Sequence, residues 1–365
     1  MSKIYKIIPM LTVVLFALVN RTVCEETTRK QTELTEKTEP ISKVTTIDEV
    51  APPPSYSKIV PIKGWNRYSG DSARSLKGWL RWWKYLFMKN SIIMKWVGGL
   101  ILRIYPGNEI YRSIFVRGIY DPNLVILTNA LLPKDGIFID AGANMGYVSL
   151  LASRAIGNEG HIFALEPSSR DFARLKDNIN LNNLGDIISS YRLSISDKNG
   201  KAQLLIADEE RSALNTLGFE IGCKGVGKIG VEEVETITTD SLIDREKIKR
   251  VDLIKLDIEG SEFNALKGAR NVIEKFRPSL IIRVNSNTLK TCNADCDKLQ
   301  KIIGEMRYYI YKIVEDPIFS LEKVENLLDV NGSVVICLHE SIIPPVLPQP
   351  DKRSMTDHIL DFFLR

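Results

Sequence analysis

Three carboxylates stand where an α/β chain does its chemistry. Asp140, Glu166 and Asp257 each close a short apolar run: Ile137-Phe-Ile139, His161-Ile-Phe-Ala-Leu165 and Val251-Asp-Leu-Ile-Lys-Leu256. Unbroken apolar runs of this length suit parallel strands buried on both faces. After Asp140 the chain reads Ala-Gly142-Ala-Asn144-Met-Gly146, and helical spacing begins at Tyr147. Glycines there let the backbone turn tightly against a ligand. After Asp257 come Glu259 and Glu262 at the start of another helical stretch, expected to run to about Lys275, where acids are favourable in the first turn with or without a chemical duty.

Charge decides which ligand such a turn accepts. A dinucleotide fingerprint reads G-x-G-x-x-G and sets pyrophosphate on the helix N-terminus. Here the glycines are four apart, and the Asp140 carboxylate would repel pyrophosphate. It suits S-adenosylmethionine, which has no phosphate and carries an ammonium group and a sulfonium. Glu166 stands at the end of the next strand, where a carboxylate accepts hydrogen bonds from both ribose hydroxyls. The alternative is that Asp140 and Glu166 cap the helices that follow them. Asp197, after the third strand (Ile187 to Ile195) and Ser196, falls beside the adenine in such a fold. Its alternative is the hairpin turn Asp197-Lys-Asn-Gly200.

Strand, turn, helix, strand is the first unit of a doubly wound α/β sheet, whose ligands bind beyond the carboxyl ends of its strands. The helix Ser168 to Leu181 follows Glu166. Residues 201 to 206 and 231 to 237 read as an inserted strand pair around a glycine-rich loop, read as a lid. Strand five is Leu280 to Val284, and Arg307 to Ile313 with Ser333 to Leu338 close the sheet. Upstream, Ser91 to Tyr105 reads as a helix stopping at Pro106-Gly107, Ser113 to Arg117 as a strand, and Asp121-Pro122 as the cap and first residue of a helix ending near Leu132.

The 365 residues suit one large domain with appendages. A net charge of +4 gives no reason to expect a nucleic-acid partner. Three histidines and five cysteines are too few and too scattered for a zinc framework, so no metal is expected; Cys292 and Cys296 can form a local disulfide in an exported chain. Residues 1–24 place Lys3 and Lys6 before an apolar run from Ile7 to Val19, with Glu25-Glu26 beyond it. At about 13 residues the run is shorter than a spanning helix and reads as a signal peptide, with an uncleaved signal anchor as the alternative. The expected location is therefore membrane-associated or exported, a cytoplasmic catalytic domain standing as the other reading. Residues 25–60 are rich in Thr, Glu and Pro and read as a linker. Residues 61–110 hold all five tryptophans, and between Pro61 and Tyr105 nine Lys or Arg face the single acid Asp71. Leu76, Trp79, Leu80, Trp83, Leu86 and Phe87 share one helical face, and Lys77, Arg81 and Lys84 another. Such a helix either lies on an anionic membrane surface or forms a helical layer on the catalytic domain. Residues 111–343 make the catalytic domain and 344–365 a proline-rich tail.

Taken together, Gly118-Ile-Tyr-Asp-Pro, Asp140-Ala-Gly-Ala-Asn-Met-Gly, Glu166-Pro, Ser196-Asp-Lys-Asn-Gly, Thr239-Asp-Ser-Leu and Lys255-Leu-Asp-Ile-Glu-Gly-Ser-Glu resemble the FkbM family of S-adenosylmethionine-dependent methyltransferases. The resemblance spans roughly Gly118 to Leu338. It implies a class I methyltransferase fold, a Rossmann-like doubly wound sheet here preceded by a helical extension. It also implies methyl transfer to a hydroxyl on a sugar, glycan or glycolipid-like acceptor. By the same resemblance Asp140, Gly142, Asn144, Gly146 and Glu166, with Ser196 and Asp197, contact the cofactor. No histidine is placed to act as base: His161 starts its strand and His339 follows an antiparallel last strand, so both fall at the remote end. Asp257 or Glu262 is the better candidate. One departure is Arg283, standing where the family commonly has an acid late in strand five; its charge near a sulfonium is unfavourable unless Asp257, Glu262 or an anionic substrate pairs with it. Two other classes remain, a degenerate methyltransferase-fold binding module in the secretory or membrane system and an NAD-dependent oxidoreductase.

Overall fold

The computed structural model describes residues 76–220, 228–314, 320–345 and 347. The leader, the linker, Asp71 and nearly all of the tail, like the glycines at 222, 225 and 227, lie outside the described residues.

The basic segment begins with a helix, Leu76–Leu86. The stretch expected to continue as helix is instead a β-hairpin, β1 (Ile92–Lys95) and β2 (Ile101–Ile104), antiparallel with Ile92 opposite Ile104. Gly98 and Gly99 turn it with φ of 62° and 77°, and four isoleucines in its arms favour the pleated form. Asn178 and Asn182 cover the hairpin's outer edge, accepting from Arg103 N at 3.0 Å and Ile101 N at 2.7 Å. A second correction follows it: the expected strand at Ser113 to Arg117 is a helix, Glu109–Arg117, whose N-cap Asn108 accepts from the Ile110 and Tyr111 amides. Asp121 caps the next helix, Pro122–Leu131, as its sequence requires.

The central sheet then assembles. Its parallel strands are β3 (Ile137–Ala141), β4 (His161–Leu165), β5 (Ile188–Tyr191), β9 (Leu253–Leu256) and β10 (Ser279–Arg283). Between β5 and β9 the chain builds an insertion from β6 (Ser194–Ile195), β7 (Gly200–Ala207) and β8 (Lys228–Ile237), a separate three-stranded sheet in the order β6-β8-β7. The main sheet is completed by β11 (Tyr308–Val314), β12 (Ser320–Lys323) and β13 (Val334–His339). Its order is β12-β11-β13-β10-β9-β3-β4-β5, with β13 antiparallel to both β10 and β11.

Order reverses between β3 and β9. From β3 the chain steps outward to β4 and β5, and on returning it steps the other way through β9 and β10, which opens a crevice at the carboxyl ends of β3, β4 and β9. Helices Tyr147–Ile156 and Ser169–Leu181 follow β3 and β4, the latter capped by Ser168. The helix expected from Glu262 to Lys275 is two, Glu262–Lys267 and Arg270–Phe276, broken at Gly268, where a Cβ would lie 2.2 Å from Ser196 O. Two apolar clusters fill the faces of the sheet. Tyr85, Trp96 and Leu102 of the N-terminal layer join the one containing Phe138, while Ile139, Leu256 and Ile282 lie in the other.

Candidate functional site

The β3 strand delivers Asp140 to the crevice, and the structure turns it away from any ligand. Its side chain is fully buried, accepting from Ser149 Oγ at 2.6 Å and from Lys255 Nζ at 2.9 Å. Lys255 also donates to the carbonyls of Ala141 (3.3 Å) and Gly142 (3.0 Å). Asp140, expected to touch the cofactor, is not among the residues lining the adjoining cavity: a carboxylate this deep needs a cation, and Lys255 supplies it while fixing the turn. Gly142 has φ of 76°, and a Cβ there would stand 2.0 Å from Asp257 O, so only glycine lets the two loops meet. Gly146 opens its helix at φ 91° with its Cα against Leu175, structural to the turn and not part of the cavity wall.

The cavity beyond this turn measures about 340 Å³. Its floor is Glu166. One carboxylate oxygen accepts from Asn144 N at 2.8 Å and the other from Ser168 N at 2.9 Å, which fixes the group while lone pairs still face the cavity. Burial, with Asp171 adding to it, pushes the Glu166 carboxyl up to about 8. Asn144 lines the cavity too, in the left-handed region at φ 50°, which asparagine tolerates.

Opposite lie Asp257, Glu259 and Arg283. Arg283 Nε donates to Asp257 at 2.8 Å and one terminal nitrogen to Asp121 at 2.9 Å. Burial works to raise the Asp257 carboxyl, and Arg283 together with Lys255 outweighs it, leaving the group below its ordinary value. The charge of Arg283 near a sulfonium is thus offset by two carboxylates. Glu262 belongs elsewhere. Its oxygens accept from Ile258 N at 3.1 Å and Gly260 N at 3.0 Å, so this residue, expected as a candidate base, shapes the loop and lies outside the cavity wall. Glu259 replaces it. Its side chain lines the cavity, is 8% exposed, and forms no hydrogen bond or ion pair among the described residues. Burial raises its carboxyl well above the ordinary range, and the neighbouring Asp257 and Glu262 raise it further. Its backbone sits at φ 47°, a position that costs a non-glycine residue about 1–2 kcal/mol, and Thr216 Oγ1 holds its carbonyl at 2.7 Å.

Ser196 and Asp197 do not reach this cavity. Asp197 pairs with Lys267 at 2.7 Å, and Ser196 and Asp197 line a neighbouring hollow beside Cys292; it is Ser194 that borders the main cavity. Cys292 and Cys296 are free thiols rather than a disulfide. His161 and His339 border neither wall of the main cavity. Sequence reasoning missed the wall supplied from afar: Asn108, Tyr120, Tyr147, and Leu204 with Arg211 to Leu217 of the insertion. Asn108 donates to Glu209 O (3.0 Å) and Ser212 Oγ (2.9 Å), clasping the insertion over the site. The turn Gly118-Ile-Tyr-Asp-Pro carried a signal for Tyr120; no local pattern marked Asn108.

These residues fit S-adenosylmethionine. Glu166 stands in the cavity wall at the end of β4, and the Gly142 turn admits close approach of a ligand to the backbone.

The sheet order, with β13 reversed between β10 and β11 and a site at the switch point, defines a class I methyltransferase fold. Residues 140–313 match the model of the Methyltransferase FkbM domain. Among curated proteins the chain is similar to the hexuronic acid methyltransferase AglP of Haloferax volcanii, 27% identical over 172 residues, covering 46% of this chain and 62% of that protein. It is likewise similar to the methyltransferase sdnD of Sordaria araneosa, 27% identical over 202 residues, covering 47% of this chain and 75% of that one. Among solved structures, the methyltransferase FkbM of Methylobacillus flagellatus aligns at 14% identity and a TM-score of 0.34, over 74% of this chain and 60% of that one. The chain thus spans less than two thirds of the first of these curated proteins and of that structure.

Proposed function

We propose that the cavity catalyses methyl transfer from S-adenosylmethionine to a hydroxyl oxygen of an acidic sugar. The observation that carries this reading is Glu166, a carboxylate immobilised by two backbone amides at the end of β4 and open to the cavity. In this reading Glu166 receives the ribose hydroxyls, and the Gly142 turn with Asn144 forms the adjoining wall. S-adenosylmethionine supplies the electrophilic methyl. The protein's part is to hold the acceptor oxygen about 3 Å from it and in line, which supplies most of the acceleration, and to take up the hydroxyl proton. Asp257 is poorly suited to that second task, since its ion pair with Arg283 lowers its proton affinity. Glu259 is suited to it: it faces the cavity without a partner among the described residues, and burial raises its proton affinity.

Two features support an acidic acceptor. Arg211 borders the cavity, and the Haloferax volcanii relative is named for hexuronic acid. Calorimetry with S-adenosylmethionine, S-adenosylhomocysteine and NAD tests the cofactor; transfer of labelled methyl to glucuronic acid against glucose tests the acceptor. Binding of NAD alone sinks the reading. Tight S-adenosylhomocysteine binding with no transfer to any sugar leaves the binding-module alternative standing, and transfer to glucose alone removes the acidic half.

A further inference from the structure

In the helix Leu76–Leu86, Tyr85 is committed to the protein while several large apolar side chains among the described residues are exposed. Tyr85 is buried; its hydroxyl donates to Asn108 O at 2.6 Å and accepts from Asn108 N at 3.0 Å. Leu80, Leu86 and Phe87 are 53%, 49% and 72% exposed, and Trp83, stacked on Phe87 with ring centroids 5.6 Å apart, is 39% exposed. Four large apolar side chains within eight positions make a contiguous patch rather than scattered surface residues. Along the segment itself the charge is of one sign: from Leu76 to Lys95 there are five Lys or Arg and no acid, although Glu209 and Glu210 of the insertion act on Tyr85 from the protein side. Lys84 and Lys89 are exposed.

We propose that this face is an interfacial membrane anchor, in which Leu80, Leu86 and Phe87 enter the headgroup boundary of an anionic bilayer while Lys84 and Lys89 meet its phosphates. Charge selects that occupant. A second copy of the chain would set five cations against five, whereas an anionic leaflet complements them. Length agrees, because a helix of 11 residues lies in the interface plane, and no helix among the described residues is long and apolar enough to span. Trp96 takes no part; it is buried, with Nε1 donating to Gly118 O at 2.7 Å. Because Tyr85 grips Asn108, and Asn108 lines the cavity, a bilayer-seated helix holds the site at the membrane surface.

The tryptophans make the test clean. All five lie between Trp65 and Trp96, so tryptophan emission from the full chain reports on this segment whatever the leader does. Full-length protein is mixed with vesicles of phosphatidylserine and brominated phosphatidylcholine. Emission is expected to be quenched at low salt, and unquenched with brominated phosphatidylcholine alone. The double variant Leu86→Ser, Phe87→Ser removes exposed side chains only, so it should lose the quenching at an unchanged melting temperature. Where that pair perturbs folding, Lys84→Glu with Lys89→Glu must lose it instead. Unquenched emission with phosphatidylserine present, or quenching retained in both variants, overturns the proposal. A dimer in sedimentation that Leu86→Ser, Phe87→Ser dissociates would assign the face to a second copy and overturn it equally.

Discussion

Lys255 Nζ lies 2.9 Å from Asp140 Oδ1, and the two side chains are 3% and 0% exposed. The pair ties β9 to the end of β3, and the same ammonium group gathers the carbonyls of Ala141 and Gly142. Removing one member of a buried pair leaves the other charge without compensation, at a cost of about 3–5 kcal/mol. Lys255→Met is therefore expected to lower stability by that order in urea unfolding. Asp140→Asn combined with Lys255→Met should recover part of the loss, because no stranded charge remains. A Lys255→Met protein that unfolds like the parent would show that the pair carries no weight.

Glu166 sets a pH dependence on ligand binding. Burial first and Asp171 second raise its carboxyl to about 8, so near neutrality the folded protein holds a proton that the unfolded chain has released above 4.5. That contribution to stability is full below the unfolded value and is lost as pH rises through about 8. Accepting from two ribose hydroxyls requires the ionised form, so S-adenosylhomocysteine should bind more tightly at pH 9 than at pH 7, with proton release at the lower pH. Calorimetry in buffers of different ionisation enthalpy reads that release. In Glu166→Gln the pH dependence should vanish, and Glu166→Ala should weaken binding by roughly ten- to a hundredfold, the loss of a charge-assisted contact worth about 1.5–3 kcal/mol.

The strand ends were legible because each apolar run announces its own acid: Asp140, Glu166 and Asp257 all lie where the pattern puts them. What each acid meets there was less legible: Glu166 and Asp257 line the cavity and Asp140 does not. The partner of Asp140 is 115 residues away in the chain, and nothing near Asp140 announces it. Glu262 looked like a catalytic acid because a carboxylate after a strand reads the same whether it faces a ligand or two backbone amides. The N-terminal layer was misread for a different reason. Ile114-Phe115-Val116 has strand-like composition, yet the Asn108 cap and burial of Ile114 and Phe115 against the core decide for helix, tertiary packing overriding propensity. In Ile92 to Ile104 the opposite holds: the Gly98-Gly99 pair between isoleucine-rich arms was a hairpin signal, outweighed in the reading by the Pro106-Gly107 stop.

Arg283 bridges Asp257 and Asp121, joining the end of β10 to the loop before the Pro122–Leu131 helix. Deleting it leaves two carboxylates without their shared cation. Arg283→Ala should cost about 2 kcal/mol, the scale of hydrogen bonds to a charged group. Asp257 should also titrate higher. In the parent its stabilisation is present above the ordinary value of 3.8 and is lost as pH falls through the lowered one, so the acid limb of stability against pH should move upward in the variant. Arg283→Lys should keep the charge and lose the two-carboxylate bridge, giving an intermediate shift. Identical acid limbs in parent and Arg283→Ala would remove Asp257 as the partner that matters.

Glu259 is the sharpest test of the site. It has the three properties that a proton acceptor needs here: a place in the cavity wall, no competing partner among the described residues, and a proton affinity raised by burial, Asp257 and Glu262. Glu259→Gln keeps the shape and the anchored carbonyl but cannot take a proton. General-base contributions are typically of order 10²–10⁴-fold, so kcat for the transfer should fall by at least about a hundredfold while S-adenosylhomocysteine affinity changes little. In the parent, kcat should rise with pH along a limb displaced well above the ordinary carboxyl value of 4.5, and the variant should lack that limb. Asp257→Asn serves as the contrast: it disturbs Arg283 and so should change substrate KM more than the shape of the pH profile. Should Glu259→Gln retain the parent's kcat and acid limb, the hydroxyl proton leaves by another route, and Glu259 is reduced to a strained turn residue beside the cavity.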